Sequence, residues 1–182
     1  MSQIDEVKET MDLGTVVFNK EVFVSDPCYE PDTWCTVKMK NMKPGEYKSE
    51  VDFVDLGSWG TRVAALRVFH KDYLNIYPEH LVKGEAGVDS GQCGFWDMKK
   101  YKAIKKNSAT AESFYDRVCA LTLGEKQSGV DEIGVVSSTG FGDGGYDVFA
   151  GFNDRDECVS LEVRFIPDDE IEAWLSDDDE EE

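Results

Sequence analysis

Hydrophobic positions recur along this chain at two periods, and the changes between them mark its elements. Ile4, Val7 and Met11 stand three and four apart behind Ser2, with Asp5 where a capping box needs its acid, which predicts a short helix over 3–12. From Thr15 the period becomes two. Val16, Phe18, Val22 and Val24 alternate with polar residues, with a break at Asn19-Lys20 that reads as a hairpin turn, and Asp26-Pro27 stops the run. Cys35, Val37 and Met39 alternate again, and after Pro44-Gly45 so do Tyr47, Val51 and Phe53, which predicts half-buried antiparallel strands. Leu56 to Gly60 is a turn. Val63, Leu66, Val68 and Phe69 then make a nearly continuous apolar strand over 62–70, expected at the centre of its sheet.

The helical period returns twice. Asp97 is placed to cap a helix carrying Met98, Tyr101 and Ile104, and Thr110 to cap one carrying Phe114, Val118 and Leu121 that Gly124 ends. Strands resume over 134–138, 146–152 and 158–166. The last two are joined by a loop over 153–157 and are expected to pair as a hairpin. After Pro167, Ile171, Trp174 and Leu175 allow one helical turn before an acidic run. Acids at a helix C-terminus oppose its dipole, so a disordered tail is expected there. The expected fold class is α+β, mainly antiparallel sheet in a sandwich or partly open barrel, with one or two helices packed on it. The expected organisation is an N-terminal segment over 1–14, one β-rich domain over 15–167 and an acidic tail over 168–182.

Composition narrows the class. The chain has 182 residues, 41% of them hydrophobic, enough to bury a core, and no apolar run long enough to span a bilayer. The opening MSQIDEVKETMDLG lacks the basic-then-apolar layout of an export signal, so a cytoplasmic protein is expected. The net charge is −19, and ten of the acids lie within 168–182. Such a balance argues against a surface that grips phosphate throughout. The opposite bias is local: Lys99, Lys100, Lys102, Lys105 and Lys106 are the candidate phosphate-binding residues. The five cysteines have no zinc-knuckle spacing and read as reduced thiols, so no structural metal and no cofactor are expected.

Four constellations carry possible chemistry. Gly140, Gly142 and Gly145 match a dinucleotide fingerprint in spacing, but the strand-like YDVFAGF follows where a helix N-terminus is required, so the loop reads as a tight strand connection. GQCGFW around Cys93 resembles the stretch preceding the nucleophile of papain-like proteases. Phe95 occupies the nucleophile's place, which removes that chemistry. Asp26, Asp89 and Asp143 each sit at a turn, the ordinary place for Asp. They become candidate ligands for a hard cation only if the three turns meet. Trp59, Phe141 and the pair Phe95-Trp96 each stand among Gly and Ser, a composition that binding loops use. With Trp174, they are the candidate partner-binding residues.

The islands SDPCYEP, GVDSGQCGFWD, SSTGFGDGGYDVFAGF and VSLEVRFI, in this order, resemble the uncharacterised bacterial and phage family called domain of unknown function four-two-four-one. Gly142 to Tyr146 is its most specific part. The resemblance implies a cytosolic, β-rich, single-domain protein carried by phages or their hosts, and it transfers no reaction and no catalytic residue. The expected function is a non-enzymatic interaction protein, such as a phage-encoded modulator of a host protein, that engages a protein partner, basic if the acidic tail is the contact. The alternative is a single-stranded nucleic-acid binder whose acidic tail is autoinhibitory. A metal-dependent hydrolase built on the turn aspartates comes third.

Overall fold

The alternation of buried and exposed positions requires sheets with at least one face covered, and the computed structural model supplies two. It describes residues 2–105 and 108–178, with the side chains of 105, 108–113 and 178 left out. The elements are α1 (Gln3–Val7), β1 (Lys8–Phe18), β2 (Val22–Ser25), β3 (Val37–Met39), β4 (Gly45–Asp55) and a single 3-10 turn at Gly57–Trp59. They continue with β5 (Thr61–His70), β6 (Glu79–Val88), β7 (Gln92–Asp97), α2 (Met98–Lys105) and α3 (Ser108–Thr122). The chain returns to strands with β8 (Ser128–Val130), β9 (Gly134–Ser138), β10 (Gly144–Phe152) and β11 (Cys158–Arg164), and then forms α4 (Asp168–Asp178).

One sheet runs β1-β4-β5-β11-β10-β6 and the other β3-β2-β7-β9-β8, and every pairing within them is antiparallel. Neither closes into a barrel. Val51, Leu66, Leu161 and Val163 of the first sheet meet Val24, Val37, Phe95 and Val135 of the second in one core. Alternate residues of the second sheet, Phe23, Trp96 and Val136, point the other way. They form a second core with Met98 and Tyr101 of α2 and Phe114 and Val118 of α3. The layers are therefore sheet, sheet, helices, and β7 is buried on both faces because it lies in the middle layer.

Several expectations hold. Ser2 and Asp5 form the capping box, Asp97 accepts the Lys100 amide at 3.0 Å at the start of α2, β5 is central, and β10 and β11 pair as a hairpin. Others are corrected. The first helix ends at Val7, and Met11 belongs to β1, because residues 8–18 find a ladder on β4 worth more than an isolated helical turn. Asn19-Lys20 is no hairpin: Asn19 donates its backbone and side-chain N–H groups to Asp97 at 2.6 and 3.1 Å, which carries the chain from one sheet to the other. The second long helix starts at Ser108, so Thr110 lies inside it. SGQCGFWD is mostly strand β7, and residues 79–88 form an edge strand that the patterning did not single out.

The acidic tail is also corrected over its described part. α4 runs to Asp178, with Asp168, Asp169 and Glu170 in its first turn, where acids favour the helix dipole. Ile171 is fully buried, and Trp174 and Leu175 pack on the inter-sheet core, so burial outweighs the unfavourable acids at the other end. Residues 179–182 lie outside the described residues.

Candidate functional site

The three aspartate-bearing turns do meet. Asp26, fully buried at the end of β2, accepts hydrogen bonds from the amides of Cys28 (2.8 Å), Asp89 (2.9 Å) and Ser90 (2.5 Å) and from the Ser90 hydroxyl (2.7 Å). Asp143 accepts the Gly91 amide at 3.0 Å, and the Asp89 carboxylate stands close enough to the Tyr29 hydroxyl to raise its pKa. Their convergence is a clamp: the lone pairs a cation would need are aimed at backbone N–H groups. Among the described residues no group of three His, Cys, Asp or Glu is placed to hold a metal ion.

Beside this clamp lies a polar cleft. Gln92 donates to Ser90 Oγ at 3.2 Å and accepts from Thr122 Oγ1 at 2.8 Å, and Tyr115 and Cys119 line the cleft with them. Two thiols near the clamp are poor nucleophiles. Burial pushes the Cys93 thiol far up, and Cys28 is pushed up to about 12 by partial burial, the hydrogen bond to Asp26 and the charges of Asp26 and Asp89.

The aromatic candidates divide. Phe95 and Trp96 are core, both at 0% exposure, with the Trp96 indole donating to the Ser25 carbonyl at 3.0 Å. Their glycine neighbours serve packing: a Cβ at Gly94 or Gly134 would run into the Trp96 ring or the Phe95 backbone. Trp59 and Phe141 are 59% and 57% exposed, and their rings meet edge to face at 6.4 Å. Arg62 fastens both loops, donating to the carbonyls of Trp59 (3.0 Å) and Gly140 (3.4 Å) and setting its guanidinium 5.5 Å from the Phe141 ring centre. Gly57 and Gly140 hold φ of +60° and +63°, so the two loops need glycine at these turns. Trp174 of α4 packs 3.7 Å from where a Gly57 Cβ would stand, half-buried, and so serves as an anchor. It brings the acidic helix to the same end of the molecule as Trp59 and Phe141.

The lysines form no such site. Lys99 and Lys102 are exposed on α2, Lys100 donates to the Val17 carbonyl at 2.6 Å, and Lys106 and the Lys105 side chain lie outside the described residues. No ion pair joins these lysines to α4 among the described residues, where Asp168 pairs with Lys8 at 2.9 Å.

The outer face of the first sheet carries an ion-pair network that the patterning did not reveal. Arg67 holds Asp52 with two nitrogens and reaches Glu50 (3.1 Å) and Glu162 (3.5 Å), and Arg164 joins Glu162 (3.0 Å) and Glu79 while lying 3.8 Å over the Phe149 ring. Burial acts to raise the Asp52 pKa, but hydrogen bonding and charge from Arg67, with Thr10 and Lys8, hold it below the ordinary carboxylate value. Trp34 was also missed. It is 94% exposed in the segment joining β2 to β3, where DTWCT offers no alternation to distinguish a surface ring from a core one. In comparisons with family models, curated proteins and solved structures, no match to this chain was found.

Proposed function

We propose that this chain is a non-enzymatic interaction protein whose contact surface is the end of the molecule bearing Trp59, Phe141, Arg62 and α4. One observation carries the reading: two rings more than half exposed, on separate loops, touch each other and share one arginine as a brace. Exposed Trp and Arg, held rigid at a loop end, are the residues that most often dominate binding energy, because little side-chain freedom is lost on contact. The acids of α4 beside them favour a partner with an apolar centre and a basic rim. The finer form of this reading is a cytoplasmic modulator of a host protein.

The turn aspartates do not support a hydrolase, since Asp26 and Asp143 spend carboxylate oxygens on backbone amides and no group placed to hold a metal ion includes them among the described residues. Single-strand binding is disfavoured because the exposed aromatics at the Trp59 end adjoin acids rather than the α2 lysines. The test is affinity capture from bacterial lysate with the full chain, the Trp59→Ala/Phe141→Ala double variant and a Lys99→Gln/Lys102→Gln control. Recovery of one protein by the wild type and the lysine control, and its loss from a folded double variant, is the expected result. Equal recovery by all three rejects the surface.

A further inference from the structure

A second surface lies along β6, an edge strand of the first sheet. The segment over residues 26–36 is fastened to β6, where the Gly87 amide donates to the Cys35 carbonyl at 2.8 Å and the Gly87 carbonyl accepts the Asp26 amide at 3.3 Å. In front of this join is a groove of about 560 Å³, within the range of small-ligand sites. Tyr29, Trp34 and Val88 wall it, Glu85 stands at its side, and backbone of Gly84 and Gly144 contributes to its lining.

Three properties of the groove restrict what fits it. Trp34 is 94% exposed, so nearly all of the ring is available, and no other aromatic ring packs on it among the described residues. Glu85 makes no hydrogen bond or ion pair among the described residues, unlike Glu50, Asp52, Glu79 and Glu162 of the same sheet. No Lys or Arg lines the groove, and the Asp89 carboxylate is near enough to Tyr29 to act on its hydroxyl. An anion is repelled here. A wholly apolar ligand would strip water from Glu85 without replacing it. A cation that is also partly apolar satisfies both, with its charge against Glu85 and its envelope on the faces of the aromatic rings, whose π-density attracts it. Glycine keeps the floor low: Gly84 sits at φ +98° where β6 bulges opposite Val148, and a Cβ at Gly145 would collide with the Glu85 carboxylate.

We propose that the Trp34–Tyr29–Glu85 groove binds an organic cation, an alkylammonium or guanidinium group. The site is independent of the Trp59 surface. Its source is either a small free amine or a basic side chain of a bound protein, and both present the same group.

The experiment is a nuclear magnetic resonance titration of the full chain with choline chloride, with N-acetylarginine amide and with sodium chloride at matched ionic strength, read at the Trp34 indole N–H. A saturable millimolar shift with either organic cation and none with sodium is expected, and the tighter of the two probes identifies the source. Trp34→Ala, read at the Gly84 and Gly144 amides, should weaken binding about tenfold, and Glu85→Gln should weaken it several-fold. Trp59→Ala should leave it unchanged. Because Trp34 and Glu85 are exposed, neither substitution disturbs a core, so folding does not confuse the result. The proposal is overturned by an equal response to sodium, by unchanged affinity in both groove variants, or by tighter binding of inorganic phosphate at the same resonances.

Discussion

Asp26 shows what a single buried carboxylate does here. Three backbone amides and one hydroxyl donate to it from two segments that are distant in sequence, so its removal leaves several part-buried donors without their acceptor. Asp26→Ala should cost about 3 kcal/mol or more in urea unfolding. A cost under about 1 kcal/mol would mean that those amides are served equally well by solvent. The same carboxylate bears on Cys28, which is exposed but has its thiol pushed up to about 12. Alkylation of Cys28 at pH 8 should therefore run well over tenfold slower than that of a free thiol of pKa about 8.5, measured by mass spectrometry. Rapid labelling at this position would contradict the assigned environment.

At the scale of elements, the first sheet depends on its outer network and the middle layer on its rings. The Asp52 carboxylate titrates below its unfolded value of about 3.9. A depressed folded pKa contributes stability that is fully present above the unfolded pKa and is lost as pH falls through the folded one. In Arg67→Ala the burial of Asp52 acts without its main counter-charge, so the acid unfolding limb should move to higher pH, with a loss of about 3 kcal/mol at neutral pH. Circular dichroism melts across pH for the two proteins check this, and coincident acid limbs would refute it. The two kinds of glycine-flanked ring should also separate. Trp96→Ala, in β7 between strand neighbours and α3, should cost about 4 kcal/mol or prevent folding. Trp59→Ala should cost under about 1 kcal/mol.

For the whole molecule, the sign of the field matters more than any one pair. With a net charge of −19 and the exposed lysines of α2 bordered by an acidic body, labelled single-stranded oligonucleotides should show negligible binding by fluorescence anisotropy at low or high salt. A variant lacking residues 177–182 should behave in the same way. Micromolar, salt-dependent binding by that variant would revive the nucleic-acid reading. The Trp59 end sets its rings beside Arg62 and the acids of α4, whereas the Trp34 groove sets its rings beside Glu85 with no Lys or Arg in its lining.

Strand alternation determined most of the elements directly, because the period of two records which face is covered: Tyr47, Val51 and Phe53, or Val159, Leu161 and Val163, are buried as spaced. Local side-chain chemistry was legible for the same reason that it is local, as in the Ser2–Asp5 box and the Asp97 cap. Layer assignment was not. Phe95 and Trp96 sit in GQCGFW with the composition of a binding loop, and only the packing of the first sheet on one face of β7 and of α2 and α3 on the other puts both rings in cores. Phe141, in nearly the same glycine context, stays outside because its loop passes between sheets at an end that no layer covers. The meeting of the Asp26, Asp89 and Asp143 turns depends on pairings between segments far apart in the chain, as does the seating of Trp174 beside Gly57. Short-range pattern encodes which residues leave water; the particular neighbours they meet follow from the sheet order, which is set by the lowest-energy packing of the whole chain.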